Sequence, residues 1–255
     1  MLTIPVVFVS HGAPDALLKA PDTVACWNGI GASLPSPEAI LVISAHWEAS
    51  RPTVSLSDKP ATLYDFSGFS PELYTMKYPA PGAPELARRV LSLIPNATAD
   101  SHRGLDHGAW APLSKIYPNA EVPVTQLSLV HQADAASHYA LGAKLAKLRS
   151  EGVLIIASGA ITHNFGWLNW HATADSPVLP QAKAFNDWVA DRLAVQDGQA
   201  LLDYRKAAHG AAAHPSAEHF LPLLVALGAA GDSPALRFSP SFCYAALSMD
   251  AYVWQ

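Results

Sequence analysis

The chain has 255 residues, of which 50% are hydrophobic and 15% charged, and its formal net charge is −5. This length and apolar content suit one α/β domain with a sizeable core, and no segment has the composition of a disordered region. The 16 Lys and Arg residues form no basic run, so nucleic acid is not an expected partner. No apolar stretch reaches the roughly 18 residues that predict a membrane span.

The cysteine content and the N-terminal segment both indicate a cytoplasmic protein. Cys26 and Cys243 are far apart and lack CxxC spacing, so neither a disulfide framework nor a cysteine zinc site is expected. The first five residues, MLTIP, carry no positive charge ahead of the first apolar run and are not typical of a signal peptide.

Short apolar runs alternate with helical patterns along the chain. The runs predict strands at Pro5–Val9, Ala39–Ser44, Val122–Leu127 and Val153–Ala157, with weaker candidates at Arg237–Phe242 and Tyr244–Val253. Helical spacing of apolar residues predicts helices at Pro84–Ile94, Ala109–Ile116, Ala135–Arg149, Pro180–Leu193 and Ala217–Leu227. We therefore predict a single α/β domain over residues 1–255, with a mostly parallel central sheet covered by helices on both faces.

Three of the eleven histidines lie at or shortly after the ends of predicted strands. His11 follows the first strand, His46 the second, and His163 lies shortly after Val153–Ala157. In an open α/β sheet, ligands bind at the carboxyl ends of the strands. A single histidine there is more often a hydrogen-bonded residue at a strand end, but three in the same position favour a common site, and Gly12 and Gly159 are expected to permit sharp turns beside it.

The segment His214–Pro222 supplies a further histidine. Ser216 is a plausible N-cap, which would place Glu218 and His219 in the first turn of a helix. The helix dipole would then favour neutral imidazole, the form that binds metal. Adjacent helical residues point about 100° apart, so we expect only one of the two to face a metal. Glu218 could equally be a favourable first-turn acid.

His107 and an aromatic segment complete the set of candidates. His107 precedes the predicted helix Ala109–Ile116, a position suited to an acid/base or substrate-binding group, although a simple pairing with Asp106 would also explain it. The segment Lys59–Gly82 is rich in Pro, Gly and aromatic residues, and a loop of this length is usually functional, such as a site wall or a lid. The other histidines have no comparable context and are interpreted as surface or core residues: His102, His131, His138, His171, His209 and His214.

Other chemistries find little support in the sequence. A G-x-S-x-G nucleophile elbow is absent, and so is a G-x-x-x-x-G-K phosphate loop. Gly29-Ile30-Gly31 begins like a dinucleotide fingerprint, but Leu34 stands in place of the third glycine and no predicted strand immediately precedes it.

The histidine motifs together resemble the DOPA-dioxygenase type of class III extradiol ring-cleavage dioxygenases, a branch of the protocatechuate 4,5-dioxygenase β-subunit superfamily. The likeness extends over nearly the whole chain. The motifs that carry it are Ser10-His11-Gly12-Ala13-Pro14, Ser44-Ala45-His46-Trp47, Tyr64-Asp65-Phe66-Ser67-Gly68-Phe69, Tyr78-Pro79-Ala80-Pro81-Gly82, Asp106-His107-Gly108-Ala109-Trp110, Ser158-Gly159-Ala160, His163-Asn164 and Glu218-His219 with Leu221-Pro222.

The resemblance implies a metal held by His11, His46 and His219. It makes His163 either a fourth ligand in a zinc-loaded form or the acid/base residue, and His107 a substrate-facing group. The wider superfamily uses two His and one Glu, so Glu218 stays open as an alternative third ligand. The implied activity is ring cleavage of a catechol, DOPA or a relative, with O2 and Fe(II).

Two alternatives keep part of this site. A zinc hydrolase would use a metal-bound hydroxide, and Zn(II) is able to occupy such a histidine site in isolated protein whatever the native metal is. A non-catalytic scaffold would retain the fold as a binding surface, but the five intact histidine motifs argue against a decayed site.

Overall fold

The computed structural model describes residues 3–173 and 175–255. The strands are β1 (Val6–Ser10), β2 (Ala39–Ser44), β3 (Glu48–Ala49), β4 (Thr53–Ser55), β5 (Thr98–Asp100), β6 (Val124–Gln126), β7 (Leu129–Val130), β8 (Val153–Gly159), β9 (Ala235–Phe238) and β10 (Ala251–Trp254). The α-helices are α1 (Ala16–Lys19), α2 (Pro21–Ser33), α3 (Pro84–Leu93), α4 (His107–Ile116), α5 (Ala135–Leu145), α6 (Pro180–Ala194), α7 (Gly198–Leu202), α8 (Gly210–Ala213) and α9 (Leu221–Ala230). Short 3-10 helices lie at Pro71–Tyr74, Ala146–Glu151, Phe165–Trp167 and Tyr204–Lys206.

The central sheet has six strands in the order β6-β2-β8-β1-β10-β9. The first four are parallel, whereas β10 pairs antiparallel with β1 and β9 antiparallel with β10. Two further pairs, β3 with β7 and β4 with β5, form small separate sheets. The predicted mostly parallel sheet is therefore confirmed.

Both faces of the central sheet are buried, as predicted. Side chains alternate along a strand, so Val6 and Phe8 pack into one hydrophobic layer while Val7 and Val9 pack into the other. The first layer contains residues of α3, α5, α6 and α9, and the second contains residues of α2 and α4. Strands buried on both faces explain the nearly unbroken apolar runs in the sequence.

Three predicted elements were wrong in extent. The weak strand candidate Arg237–Phe242 shares only its first two residues with β9, which spans Ala235–Phe238. The last helix, α9, begins at Leu221 rather than at Ala217, with Pro222 in its first turn, so Ser216 is not its N-cap. Residues 216–220 instead form turns, in which the amide groups of Phe220 and Leu221 both donate to the carbonyl of Ala217. Proline at the start of a helix fits because its missing N–H would have no partner there.

The weak strand candidate Tyr244–Val253 is mostly turn. Within this candidate, only the residues that belong to β10 form strand. Tyr244 and Ala245 instead adopt left-handed backbone conformations, with φ of 51° and 58°. Such conformations end a strand. In the part of the chain that the structure describes, no helix is long and apolar enough to cross a membrane.

Candidate metal centre

The histidines predicted from the strand ends meet at one edge of the sheet. β2, β8 and β1 are neighbours, so the residues that follow them emerge side by side. The ring centroids of His11 and His46 are 4.9 Å apart, and that of His219 lies 5.3 Å from the first and 4.9 Å from the second. One nitrogen of each ring falls within 4.8 Å of the others.

Two glycines make this convergence possible. Gly12 has a φ of +65°, a left-handed conformation that turns the chain sharply after His11. Gly159 does not provide the sharp turn that the sequence suggested; it is the last residue of β8, and a Cβ there would lie 2.2 Å from the carbonyl oxygen of His219. That carbonyl accepts a hydrogen bond from Ala160, so Gly159 lets the His219 segment approach the sheet.

The hydrogen bonds of His11 define its tautomer. Its Nδ1 lies 2.9 Å from the hydroxyl of Ser158, which itself donates to the carbonyl of Gly108 at 2.5 Å. A serine hydroxyl has a single proton, so Nδ1 of His11 must be the donor to Ser158. Nε2 of His11 is then an unprotonated lone pair directed into the site, as metal ligation requires.

Asp65 lies between His46 and His107. Its carboxylate is 3.6 Å from Nδ1 of His46 and 3.0 Å from Nδ1 of His107, and it also accepts the backbone N–H of His107. Asp65 comes from the aromatic segment Lys59–Gly82, and 27% of its side chain is exposed toward the cavity side of the site. Within the described part of the chain, Nδ1 of His107 has no hydrogen-bond partner and the distance to His46 is too long for a hydrogen bond, so Asp65 acts on the two rings through its charge.

A network behind His46 holds its turn in place. The hydroxyl of Ser44 accepts the backbone N–H of His46 and donates to Asp106 at 2.6 Å. Arg103 bonds both the carbonyl of His46 and the carboxylate of Asp106. Asp106 also caps α4 by accepting from Ala109, so it pairs with this network rather than with the ring of His107.

His219 and His163 form the opposite side of the site. Nδ1 of His219 lies 3.1 Å from the Glu218 carboxylate, which also accepts from the hydroxyl of Ser216. The ring of His163 stacks on that of His219 with centroids 3.4 Å apart. Glu218 thus contacts Nδ1, the outer nitrogen of His219. One of its carboxylate oxygens also lies within 4.8 Å of a ring nitrogen of His163.

Burial keeps these imidazoles uncharged. Burial first, and then the neighbouring histidines, lowers the pKa of His11 and of His219 well below the usual value. The same causes lower the pKa of His46 to about 4, although Asp106 and Asp65 oppose the shift, and burial also lowers the pKa of His163. Burial alone would raise the pKa of Asp65, but its contacts with His107 and His46 outweigh this and lower it to about 2. The site is thus a set of neutral imidazoles beside a carboxylate.

The spacing of the nitrogens fits a divalent transition metal. Nε2 of His11 and Nε2 of His46 are 3.0 Å apart. Two ligands at right angles with metal–nitrogen bonds of about 2.1 Å would be separated by about 3.0 Å. Nε2 of His11 carries a lone pair, so at this distance it either accepts a hydrogen bond from Nε2 of His46 or shares a cation with it. The His and Asp groups of this site therefore have the donor types and the spacing that could hold such a metal.

A cavity of about 660 Å³ opens above these histidines. His46, His107, His163 and His219 line its base, and the aromatic segment contributes one wall through Phe66, Ser67, Gly68, Phe69 and Ser70. The predicted role of Lys59–Gly82 as a site wall is confirmed in this respect. Tyr78 of the same segment is instead buried in the core.

The remaining histidines lie where they were predicted, on the surface or in the core. His102, His131, His171 and His209 are exposed, and His138 and His214 are buried. Sequence reasoning missed the supporting roles of Ser158 and Asp65. Both lie within quoted motifs, yet only the packing of separate segments shows which imidazole each one contacts.

Comparison with known families now identifies the chain. Residues 25–252 match the family described as the catalytic LigB subunit of aromatic ring-opening dioxygenase. The protein belongs to the LigB family. The match confirms the predicted enzyme class, an extradiol aromatic ring-opening dioxygenase.

Individual relatives of this LigB protein span most of its length. The chain is 40% identical over 232 residues to the 4,5-DOPA dioxygenase extradiol of Escherichia coli K12, covering 89% of this chain and 85% of that one. It is 44% identical over 236 residues to the protein of the same name from Beta vulgaris, covering 89% and 87%. The crystal structure of the uncharacterized protein JW3007 from Escherichia coli K12 superposes with a TM-score of 0.81 at 36% identity, covering 99% and 100% of the two chains.

Proposed function

We propose that this LigB enzyme cleaves the ring of a catechol, DOPA or a related compound, with O2 and an Fe(II) ion held by His11, His46 and His219. The observation that carries the proposal is the meeting of three imidazole nitrogens within 4.8 Å of one another, with two of the rings, those of His46 and His219, lining a cavity. Three protein ligands on one side leave open positions for other ligands. The names of the two relatives support DOPA as a substrate to test first.

When bound, the metal would supply charge that favours the deprotonated diol and open positions for the diol oxygens and O2. Its chemistry matches the donor set, since imidazole suits Fe and Zn alike. Fe(II) is proposed as the working metal, with Zn(II) able to occupy the same ligands in isolated protein. Glu218, placed against the outer nitrogen of His219, is proposed as a positioning group rather than as a ligand.

Two histidines are proposed to act on the substrate. His163 lines the cavity and is neutral, so its imidazole is able to accept a hydroxyl proton from the diol and return it later. His107 lies on the other side of the cavity base, where its ring is proposed to orient the substrate. The alternative role of His163 as a fourth ligand stays open to the test below.

The proposal extends to the whole chain as one catalytic domain in the cytoplasm. Its support is that the family match covers residues 25–252 and that both cysteines, Cys26 and Cys243, are free thiols, as a reducing compartment favours.

The test compares metal-free, Fe(II)-loaded and Zn(II)-loaded protein with a panel of catechols that includes L-DOPA. With Fe(II) we expect oxygen uptake and a yellow ring-opened product, one molecule of product for each molecule of O2 consumed. We expect neither with the metal-free form or the zinc form.

His163→Ala is expected to lower kcat by about 100-fold or more while the protein still binds metal. His131→Ala, at an exposed histidine outside the cavity, is the matched control. Absence of oxygen uptake across the whole panel contradicts the proposal, and loss of metal from His163→Ala would make His163 a ligand.

A further inference from the structure

His214 is a buried histidine that the proposed reaction does not use. It is 0% exposed, and its ring lies among three aromatic side chains, with centroids 5.9 Å from Phe185, 5.8 Å from Tyr204 and 5.1 Å from Phe220. Burial lowers the pKa of His214 to about 3, so the imidazole is neutral and carries a single N–H. A polar group enclosed by apolar rings costs free energy unless it makes a hydrogen bond.

The single N–H of His214 is directed at the segment that carries His163. Nε2 of His214 lies 2.8 Å from the carbonyl oxygen of Ile161. Since a carbonyl only accepts, Nε2 is the donor and Nδ1 is the unprotonated nitrogen. Nδ1 has no hydrogen-bond partner among the residues that the structure describes. The imidazole therefore makes one hydrogen bond, and this bond goes to the residue two positions before His163.

Two further hydrogen bonds join the same two segments. The backbone N–H of His163 donates to the carbonyl of Ala213 at 2.9 Å, and the side-chain amide of Asn164 donates to the carbonyl of Ala212 at 2.6 Å. Both of these bonds end on backbone carbonyls. His214 is therefore the position at which this junction can be altered by a substitution that leaves His163 and Asn164 unchanged.

The other side of the His163 segment is fixed by Thr162. This residue is 0% exposed, and its hydroxyl donates to the carbonyl of Ala246 at 2.6 Å and accepts the backbone N–H of Ser248 at 2.8 Å. Local mobility is low where backbone groups are buried and hydrogen-bonded. Contacts on two sides thus hold the backbone that carries His163.

His214 also belongs to the segment that carries the proposed ligand His219, five positions further along the chain. This segment is anchored at His214 itself, whose backbone carbonyl accepts from Arg205 at 2.8 Å and whose backbone N–H donates to Gly210 at 3.2 Å. The rings of His163 and His219 stack with centroids 3.4 Å apart. Because His214 belongs to one segment and bonds the other, it ties the position of His163 to that of His219.

We propose that His214 is a positioning residue, which sets the place of His163 relative to His219 through its hydrogen bond to the carbonyl of Ile161. This inference rests on the proposed function, in which His163 moves a proton of the diol. His214 lies outside the cavity lining, so it acts through His163 rather than on the substrate. A displacement of a reacting group by about 1 Å is able to lower the rate by about 100-fold.

The first experiment compares His214→Leu, which removes the donor but keeps an apolar side chain, with His214→Gln. Glutamine places an N–H donor as many bonds from Cα as Nε2 of histidine, so it is able to bond Ile161 again. We expect His214→Leu to lower kcat of the Fe(II) enzyme by about 10–100-fold, with KM and metal affinity close to those of the wild type. His214→Gln should restore most of kcat. His214→Phe, which also lacks the donor but keeps an aromatic ring, should behave like His214→Leu and replaces it if that variant does not fold.

His138→Leu is the matched control. His138 is 1% exposed, and its ring also bonds backbone groups, the carbonyl of Asp134 and the N–H of Val130. Its loss should destabilise the fold but leave kcat unchanged. Equal losses of kcat in His138→Leu and His214→Leu would overturn the inference. A loss in His214→Leu that glutamine does not restore, or that follows the loss of metal, would do the same.

A second experiment does not depend on turnover. Hydrogen exchange followed by mass spectrometry reports the opening of the amide groups of residues 161–164. We expect exchange in this segment to be about fivefold faster or more in His214→Leu, because a buried hydrogen bond is lost, and to be slowed again in His214→Gln. It should be unchanged in His138→Leu.

The two experiments fail separately. If the wild-type protein cleaves no catechol, the proposed function fails, and faster exchange in His214→Leu with recovery in His214→Gln still supports the positioning of this segment by His214. Unchanged exchange in His214→Leu overturns the inference, whether or not any catechol is cleaved.

Discussion

At the scale of single residues, the orientation of His11 depends on one buried hydroxyl. The hydroxyl of Ser158 accepts a hydrogen bond from Nδ1 of His11 and donates one to the carbonyl of Gly108. We predict that Ser158→Ala lowers the affinity for Fe(II) or Zn(II) by about 10–100-fold, because the imidazole loses the contact that keeps Nε2 directed inward. Competition with a chromophoric chelator measures this affinity.

Ser248→Ala is the control for this variant. Ser248 is 1% exposed, against 0% for Ser158, and its hydroxyl is likewise bonded, but its hydrogen bonds go to Asn186, Thr162 and Asp250 rather than to a histidine of the site. Equal losses of metal affinity in the two variants would show that the effect of Ser158→Ala is general destabilisation.

Two substitutions of Glu218 distinguish a positioning role of its carboxylate from a role as a metal ligand. As a positioning group it accepts the Nδ1 proton of His219, and an amide oxygen is able to do the same. We therefore predict that Glu218→Ala lowers metal affinity by about tenfold or more and that Glu218→Gln retains most of it. The same chelator competition tests this. If Glu218 itself binds the metal, Glu218→Gln loses as much affinity as Glu218→Ala.

At the scale of elements, periodicity predicted most helices and central strands but not every helix. α2 was missed because its apolar residues show little helical periodicity. Its Gly31 is there for packing, since a Cβ at this position would lie 2.2 Å from the carbonyl of Ile116 in α4. The start of α9 was misplaced because turn residues and first-turn residues have similar composition. Contacts between helices decide such cases, and one sequence does not contain them.

The contact between α5 and α9 gives a prediction about stability. A Cβ on Gly142 would lie 2.0 Å from the carbonyl of Val225, so Gly142→Ala forces these helices apart. We expect it to lower the free energy of unfolding by about 1–3 kcal/mol, measured by urea denaturation. Gly29→Ala is the matched control, because this α2 glycine has no atom within 4 Å of an added Cβ. It should raise the free energy of unfolding by up to about 1 kcal/mol. A loss of stability in both variants would contradict the packing explanation.

At the scale of the whole molecule, topology explains why the candidate site was predictable in part. Parallel neighbours β1, β2 and β8 bring whatever follows them to one edge, so His11, His46 and the segment with His163 were found from strand patterns. His219 and His107 reach the same point from helix-associated segments; predicted helix starts singled them out, and the family resemblance then implied their roles. Asp65 comes from a long loop whose path is set by packing rather than by periodicity.

This convergence predicts that metal stabilises the entire fold. His11 follows β1, His46 follows β2 and His219 precedes α9, so a shared ion links three distant parts of the chain. A ligand that binds only the native state raises the free energy of unfolding by about 2.7 kcal/mol at 100 times its Kd. For a domain of this size we expect Tm to rise by about 5–10 °C on adding Fe(II) without oxygen, or Zn(II), to EDTA-treated protein. His11→Ala should abolish the shift and His131→Ala should retain it, since His131 lies outside the cavity. A shift of equal size in His11→Ala would place the stabilising ion at some other site.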